Sequence, residues 1–422
     1  MPQGDPVQIV SNSYIDLPLI IHIAQTKRSD IRAQEKITEK QKAKELSWLS
    51  KHFPQISLNY TAQKSQKNVL PEQQLQLSLK QALFAPGSVY FPYQLARIGT
   101  KSSICQTEYQ KQQAQLSVEQ TFFDLQNNYA KNDLELILRE TGPEVFKKAQ
   151  IQFENGLIST VDLEQQKSVY TSTLSTIEKI FRGKKITKNE SAITSEQKIK
   201  RKTILWMPLE TIKQTVKKLV NIPKDELYTQ ALHARPDLKL LAYAMEQAEI
   251  QEKIYASQYL PSASFFASMY ATRKAETLLG AAEEILNYPW TLGLSVSWNF
   301  DSLTNMFEVR ASRAEYLSQM LKKKRSEWVM KKEIDLTVQQ LAIDQATITE
   351  AEQIYQHGQQ AFEKKQLEVE AGLAAPLELL QAKADWEQIQ ANYTNAHTNA
   401  AKNCALLHYK TGHKLEYPIL AS

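Results

Sequence analysis

The stretch TLGLSVSWNF, residues 291–300, alternates at every step. Leu292, Leu294, Val296 and Trp298 fall on one side, and Gly293, Ser295, Ser297 and Asn299 on the other. A period of two with one apolar side predicts a β-strand with one greasy face. Three more segments carry the same signal: QISLNYTAQ (55–63) with Ile56, Leu58, Tyr60 and Ala62, LQLSLKQALF (75–84) with Leu75, Leu77, Leu79 and Leu83, and PSASFFASMYATR (261–273). Four strands per chain are expected.

Working outward, the strands prove to be copies. Asp30 precedes Pro54, and Asp237 precedes Pro261, by the same 24 positions. A second block repeats at an offset of 216, pairing Phe91 with Phe307, Arg97 with Arg313, Gly142 with Gly358, Gly156 with Gly372 and Leu157 with Leu373. The chain is a tandem duplication. The expected organisation is an N-terminal segment (1–28), a first repeat (29–182), an insert with a basic linker (183–234), a second repeat (235–408) and a tail (409–422).

Each repeat opens with a helix, 30–53 in the first, which Pro54 ends. After its two strands comes a long helix, about 89–155, in which Ala114, Val118, Phe122, Leu125 and Tyr129 keep helical spacing. Gly156 stops it. The return helix, 157–182, repeats Leu163, Tyr170 and Ile177 every seven residues beside Leu174 and Phe181, a coiled-coil seam. Gly156 therefore marks a helical hairpin tip. At 1.5 Å per residue the long helix spans roughly 100 Å, nearly the sum of two short ones placed end to end. A four-stranded sheet with one apolar face cannot close alone, because a barrel needs roughly eight strands, so several chains are expected to associate.

Composition agrees with long helices: 11 glycines in 422 residues is low. The net charge of +5 is local, since RGKKITKNESAITSEQKIKRK (182–202) alone carries +6. That run reads as a solvated loop rather than a nucleic-acid surface. Cys105 and Cys404 lie in helical sequence without metal-ligand spacing. The start, MPQGDPVQIVSNSY, has Pro and Asp where a secretory signal carries an unbroken apolar core. The longest apolar stretch of interest, LPLIIHIA (17–24), is too short for a membrane-spanning helix. Transmembrane strands escape that test.

The order of elements, with ARPDLKLL opening the second half, LGLSVSWNF before its long helix, and the paired tips NGLISTVDLEQ and AGLAAPLELLQA, resembles the TolC-type outer-membrane efflux proteins over almost the whole chain. The resemblance implies a mainly α fold with a small transmembrane β part: long antiparallel helices forming a periplasmic tunnel, and four strands per chain contributing to a twelve-stranded barrel of a homotrimer. It implies a passive exit duct of a tripartite efflux or type I secretion system in the Gram-negative outer membrane. Its partners would be outer-membrane lipid, a periplasmic adaptor and, indirectly, an inner-membrane pump or ABC transporter. Leu292, Leu294, Val296 and Trp298 would face lipid. Tyr60, Tyr259, Tyr270, Tyr288 and Trp290 would supply interfacial aromatics.

The resemblance also implies that the tips receive the adaptor, through Asn155, Gly156 and Leu157 on one hairpin and Ala371, Gly372 and Leu373 on the other. The plainer reading is a pair of left-handed helix stops. Asp162, Glu164, Glu370 and Glu378 are candidates for a constriction of the lumen, where gathered carboxylates attract cations. Val369, Ala374 and Gln381 depart from the family pattern of gating residues, against a salt-bridge lock.

No cofactor, metal or enzymatic role is expected. His397, Cys404, His408 and His413 include a C-x-x-x-H pair but no carboxylate partner. The sequence has no nucleotide-binding loop, so energy for transport must come from a partner. The alternative, a non-membrane coiled-coil scaffold, has no need for lipid-facing alternation at duplicated positions.

Overall fold

The computed structural model describes residues 17–63, 72–156, 159–161, 163–164, 167–168, 171, 207–274, 290–298, 302–374 and 376–412. In chain order the elements are α1 (Leu17–Lys27), α2 (Ser29–Ser50), β1 (Gln55–Gln63), β2 (Glu72–Phe84), a π-helical turn (Pro86–Tyr90) and α3 (Phe91–Glu154). There follow α4 (Leu209–Val220), α5 (Lys224–Ala234), α6 (Pro236–Ala256), a 3-10 turn (Ser257–Tyr259), β3 (Ser262–Lys274), β4 (Trp290–Ser297), α7 (Ser302–Glu370) and α8 (Pro376–Thr411). The basic run 182–202 and the seam residues Tyr170, Leu174, Ile177 and Phe181 lie outside the described residues. No described helix is long and apolar enough to cross a membrane.

The duplication is visible in how the helices begin. The Asp30 carboxylate accepts the N–H of Ile31, and that of Asp237 accepts the N–H of Leu238, each at 2.9 Å. Both acids sit at the positive end of a helix dipole. Burial raises the pKa of Asp30, but the Arg28 guanidinium, 2.8 Å from its Oδ2, and the Ile31 N–H outweigh this and hold it below the usual carboxylate range.

The chain forms two compact units, each drawing on both repeats. One comprises residues 33–109 and 236–327, the other 1–32, 110–235 and 328–422. The first holds an antiparallel sheet in the order β1-β2-β3-β4. Its helices are joined by a small buried hydroxyl cluster, in which Thr38 on α2 meets Ser103 and Thr107 on α3 at 2.9 and 3.1 Å.

The second unit is centred on α8, whose Ala391, Ala400, Ala401, Ala405 and Leu407 are buried. Small residues there let α4 and α5 pack closely on it, burying Ile212, Val216, Leu219, Leu227 and Ala231. Polar ties fix the short helices to α7. Lys213 meets Glu352 at 2.6 Å, and the Tyr228 hydroxyl donates to Asp335, which pushes the phenol pKa up to about 12. Arg235, nearly buried, reaches Glu333 at 3.3 Å and the Lys410 carbonyl at 3.4 Å. Sequence alone left residues 209–234 as an insert. They fold into two helices that build this core.

Candidate functional site

The sheet register puts the alternating residues of all four strands in common rows. Ile56 pairs with Leu79, which pairs with Ala267, which pairs with Leu292. Beside it run Leu58, Leu77, Met269 and Trp290. In these rows one face is apolar from edge to edge, and its outer strands are open: Ile56 is 72 % exposed and Leu294 and Val296 are each 70 % exposed, whereas Leu75 on β2 is buried. The opposite face carries rows such as Ser57, Ser78, Ser268 and Thr291. Hydroxyls bond across it, Ser57 to Ser78 and Ser262 to Ser297, each at 2.7 Å.

Two details differ from the sequence reading. The register shifts between Ala82 and Phe84, so Phe84 rather than Leu83 stands opposite Ala263; one extra residue in a strand breaks the alternation that placed Leu83. Trp298 lies one residue beyond β4, and its indole N–H donates to the Tyr259 carbonyl at 3.0 Å. Tyr259 itself closes the 3-10 turn before β3. Tyr60 and Trp290 sit within strands; Tyr288 falls outside the described residues, as does the side chain of Tyr270.

At the other candidate site, α3 ends at Glu154 and α7 at Glu370, each followed by a left-handed glycine: Gly156 has φ 72° and Gly372 has φ 71°. The Gly372 N–H donates to Val369 O at 3.0 Å and the Leu373 N–H to Glu368 O at 2.8 Å, the paired bonds of a Schellman cap. Gly156 makes the matching bond to Phe153 O at 2.9 Å. Asn155 and Ala371 are exposed, and Leu373 is 81 % exposed. A capping leucine left that open covers none of its own helix. Leu157 and Asp162 lie outside the described residues.

The candidate lumen carboxylates have separate local partners. Glu164 lies 3.6 Å from Lys167, and Glu370 accepts from Gln366 at 3.2 Å. Glu378 on α8 meets Lys365 on α7 at 3.1 Å, and the same ammonium meets Glu368 at 2.8 Å. Lys365 therefore ties the two arms of the second hairpin, and Glu368 first, then Glu378, raises its pKa. Sequence reading missed this tie because Lys365 and Glu378 lie 13 positions apart across a turn. Further along α8, His397 is fully buried, edge-on to Tyr393, with Nδ1 3.0 Å from the Tyr393 carbonyl. Cys404 is buried too, which pushes its thiol up to about 12. No group of acid, His and Cys side chains among the described residues is arranged to hold a metal.

Residues 227–413 match the family model for outer membrane efflux proteins. The fold matches the outer membrane protein VceC of Vibrio cholerae with TM-score 0.73 at 16 % identity, covering 95 % of this chain and 97 % of that one. It matches the CmeC outer membrane channel of Campylobacter jejuni with TM-score 0.73 at 14 % identity, covering 98 % and 93 %. The open-state MtrE channel of Neisseria gonorrhoeae gives TM-score 0.73 at 15 % identity, covering 94 % and 89 %. No curated protein matches the chain by sequence. The second half of the chain thus carries an outer membrane efflux protein domain, and the fold of these outer membrane channels runs along nearly its whole length.

Proposed function

We propose that the protein is the exit duct of a tripartite efflux or type I secretion system, a homotrimer in the Gram-negative outer membrane. Three sheets join edge to edge into one barrel, and the helices continue as a periplasmic tunnel. The observation that carries this reading is the sheet: one face apolar across four strands and exposed on the outer two, the other rich in hydroxyls, with edges at β1 and β4. In hydrocarbon an open edge leaves backbone groups unsatisfied at several kcal/mol each, so closure with other copies is the stable solution. The chain is a conduit rather than an enzyme, and a periplasmic adaptor and an inner-membrane pump supply the energy.

The tips at Asn155–Leu157 and Ala371–Leu373 are the proposed docking points. Support comes from the duplicated left-handed glycines, the open space above them and the exposure of Leu373. Asp162, Glu164, Glu370 and Glu378 line the proposed constriction, three copies of each around the axis. Leu292, Leu294, Val296 and Trp298 face lipid. The test is extraction: the full chain should fractionate with outer membranes and run in detergent as a trimer. A stable, water-soluble monomer would sink the proposal.

A further inference from the structure

A water-filled duct need not recognise its cargo, yet one row of the hydroxyl-rich face departs from that chemistry. Lys80 on β2 pairs with Phe266 on β3, and Phe266 pairs with Gly293 on β4. The rows on either side hold small residues, mostly hydroxyls: Ser78, Ser268 and Thr291 on one, Ala82, Ser264 and Ser295 on the other. Among the described side chains of this face, Lys80 is the one charged group and Phe266 the one aromatic ring. Lys80 is exposed and has no acidic partner among the described residues.

Gly293 explains how the ring is held. A Cβ at that position would come within 2.6 Å of Phe266 Cζ and 2.9 Å of Cε1, so the end of the ring occupies the space over the bare backbone of the neighbouring strand. An aromatic ring covering a strand glycine is a recognised way to pin such a pair. It also keeps the ring against the wall, with a cation on the adjacent strand.

We infer that Lys80 and Phe266 form a selectivity element of the pore, a cation beside an aromatic platform that favours anions, and among them anions with a flat apolar body. The inference rests on the trimeric duct reading, which turns this face toward the bore and sets three copies at one level. Like charges lining an aqueous pore raise the local concentration of counter-ions. An aromatic face adds an attraction for flat apolar groups that a ring of hydroxyls lacks.

The test uses the full chain in planar lipid bilayers across a potassium chloride gradient, with Lys80→Gln, Lys80→Glu and Phe266→Leu. The chloride-to-potassium permeability ratio should fall about fivefold from wild type to Lys80→Glu at about 0.1 M salt, with Lys80→Gln between them, and the difference should shrink at about 1 M as screening shortens. Phe266→Leu should leave that ratio unchanged while weakening current block by 2-naphthalenesulfonate relative to methanesulfonate. Pores of normal conductance with unaltered selectivity in both Lys80 variants, or undiminished naphthalenesulfonate block in Phe266→Leu, would overturn the inference and leave the duct intact. If Lys80→Glu fails to insert, Lys80→Gln decides alone. Wild-type protein that forms no pores would overturn the duct reading itself, and this inference with it.

Discussion

Gly156 and Gly372, 216 positions apart, end their helices in the same left-handed backbone, φ 72° and 71°, and a Cβ built on either meets nothing within 4 Å. Asn also accepts this conformation. Gly156→Asn and Gly372→Asn should therefore leave trimer assembly and melting unchanged, whereas a β-branched residue such as Val would cost roughly 1–2 kcal/mol in backbone strain. If the tips dock an adaptor, both Asn variants should lose adaptor cross-linking and transport while the trimer persists. Leu373→Asp should be worse, because a charge set into an apolar contact is costly to desolvate. Normal cross-linking in all three variants would reduce the glycines to helix stops.

The lipid face makes a paired prediction. Leu294 stands opposite Phe265 in the apolar row, and its neighbour Ser295 stands opposite Ser264 on the other face. Leu294→Arg should destabilise the assembled barrel by about 2–4 kcal/mol if it lies near the bilayer midplane, while Ser295→Arg should be tolerated as a change to the bore. Unfolding from lipid vesicles in urea measures both, and equal effects would show that the face assignment is wrong.

The strands and the glycine helix stops were legible in sequence because each rests on a local signal repeated by duplication: a period of two in the strands, and a glycine at matched positions in the hairpins. Features needing a third dimension were not. Phe266 reads as one more apolar residue of β3 until the register sets it over Gly293 on the hydroxyl face. The bulge at Ala82 leaves no trace in composition, and Lys365 is one lysine among many until the hairpin closes it onto Glu378. The packing of α4 and α5 against α8 depends on alanines that carry no periodic signature of their own.

His397 sets a pH dependence. Its ring is fully buried, its Nδ1–H donates to the Tyr393 carbonyl, and Nε2 has no partner in the described structure. Burial pushes its pKa below 6.5, against the opposing effect of that carbonyl, with Glu352 on α7 and Lys213 and Glu210 on α4 the charged groups nearby. The unfolded chain therefore binds the proton first. The stability this group contributes is complete above its unfolded value and is lost as pH falls from there toward the lower folded value. Melting of the detergent-solubilised protein should drop as pH falls below about 6.5, and His397→Leu should flatten that part of the profile. An unchanged profile in the variant would assign the acid sensitivity to other groups.

The most direct test of the duct lies at the sheet edges. β1 and β4 each have one neighbour among the described residues, so in a closed barrel β1 of one copy must meet β4 of the next. Ser57→Cys on β1 can be combined with cysteine at each position of Trp290–Ser297 in turn; the native Cys105 and Cys404 are buried. Oxidation in intact outer membranes should, for at least one pair, give a cross-linked ladder that stops at three chains. A ladder running past three, or monomer alone for every pair, would contradict the trimeric barrel.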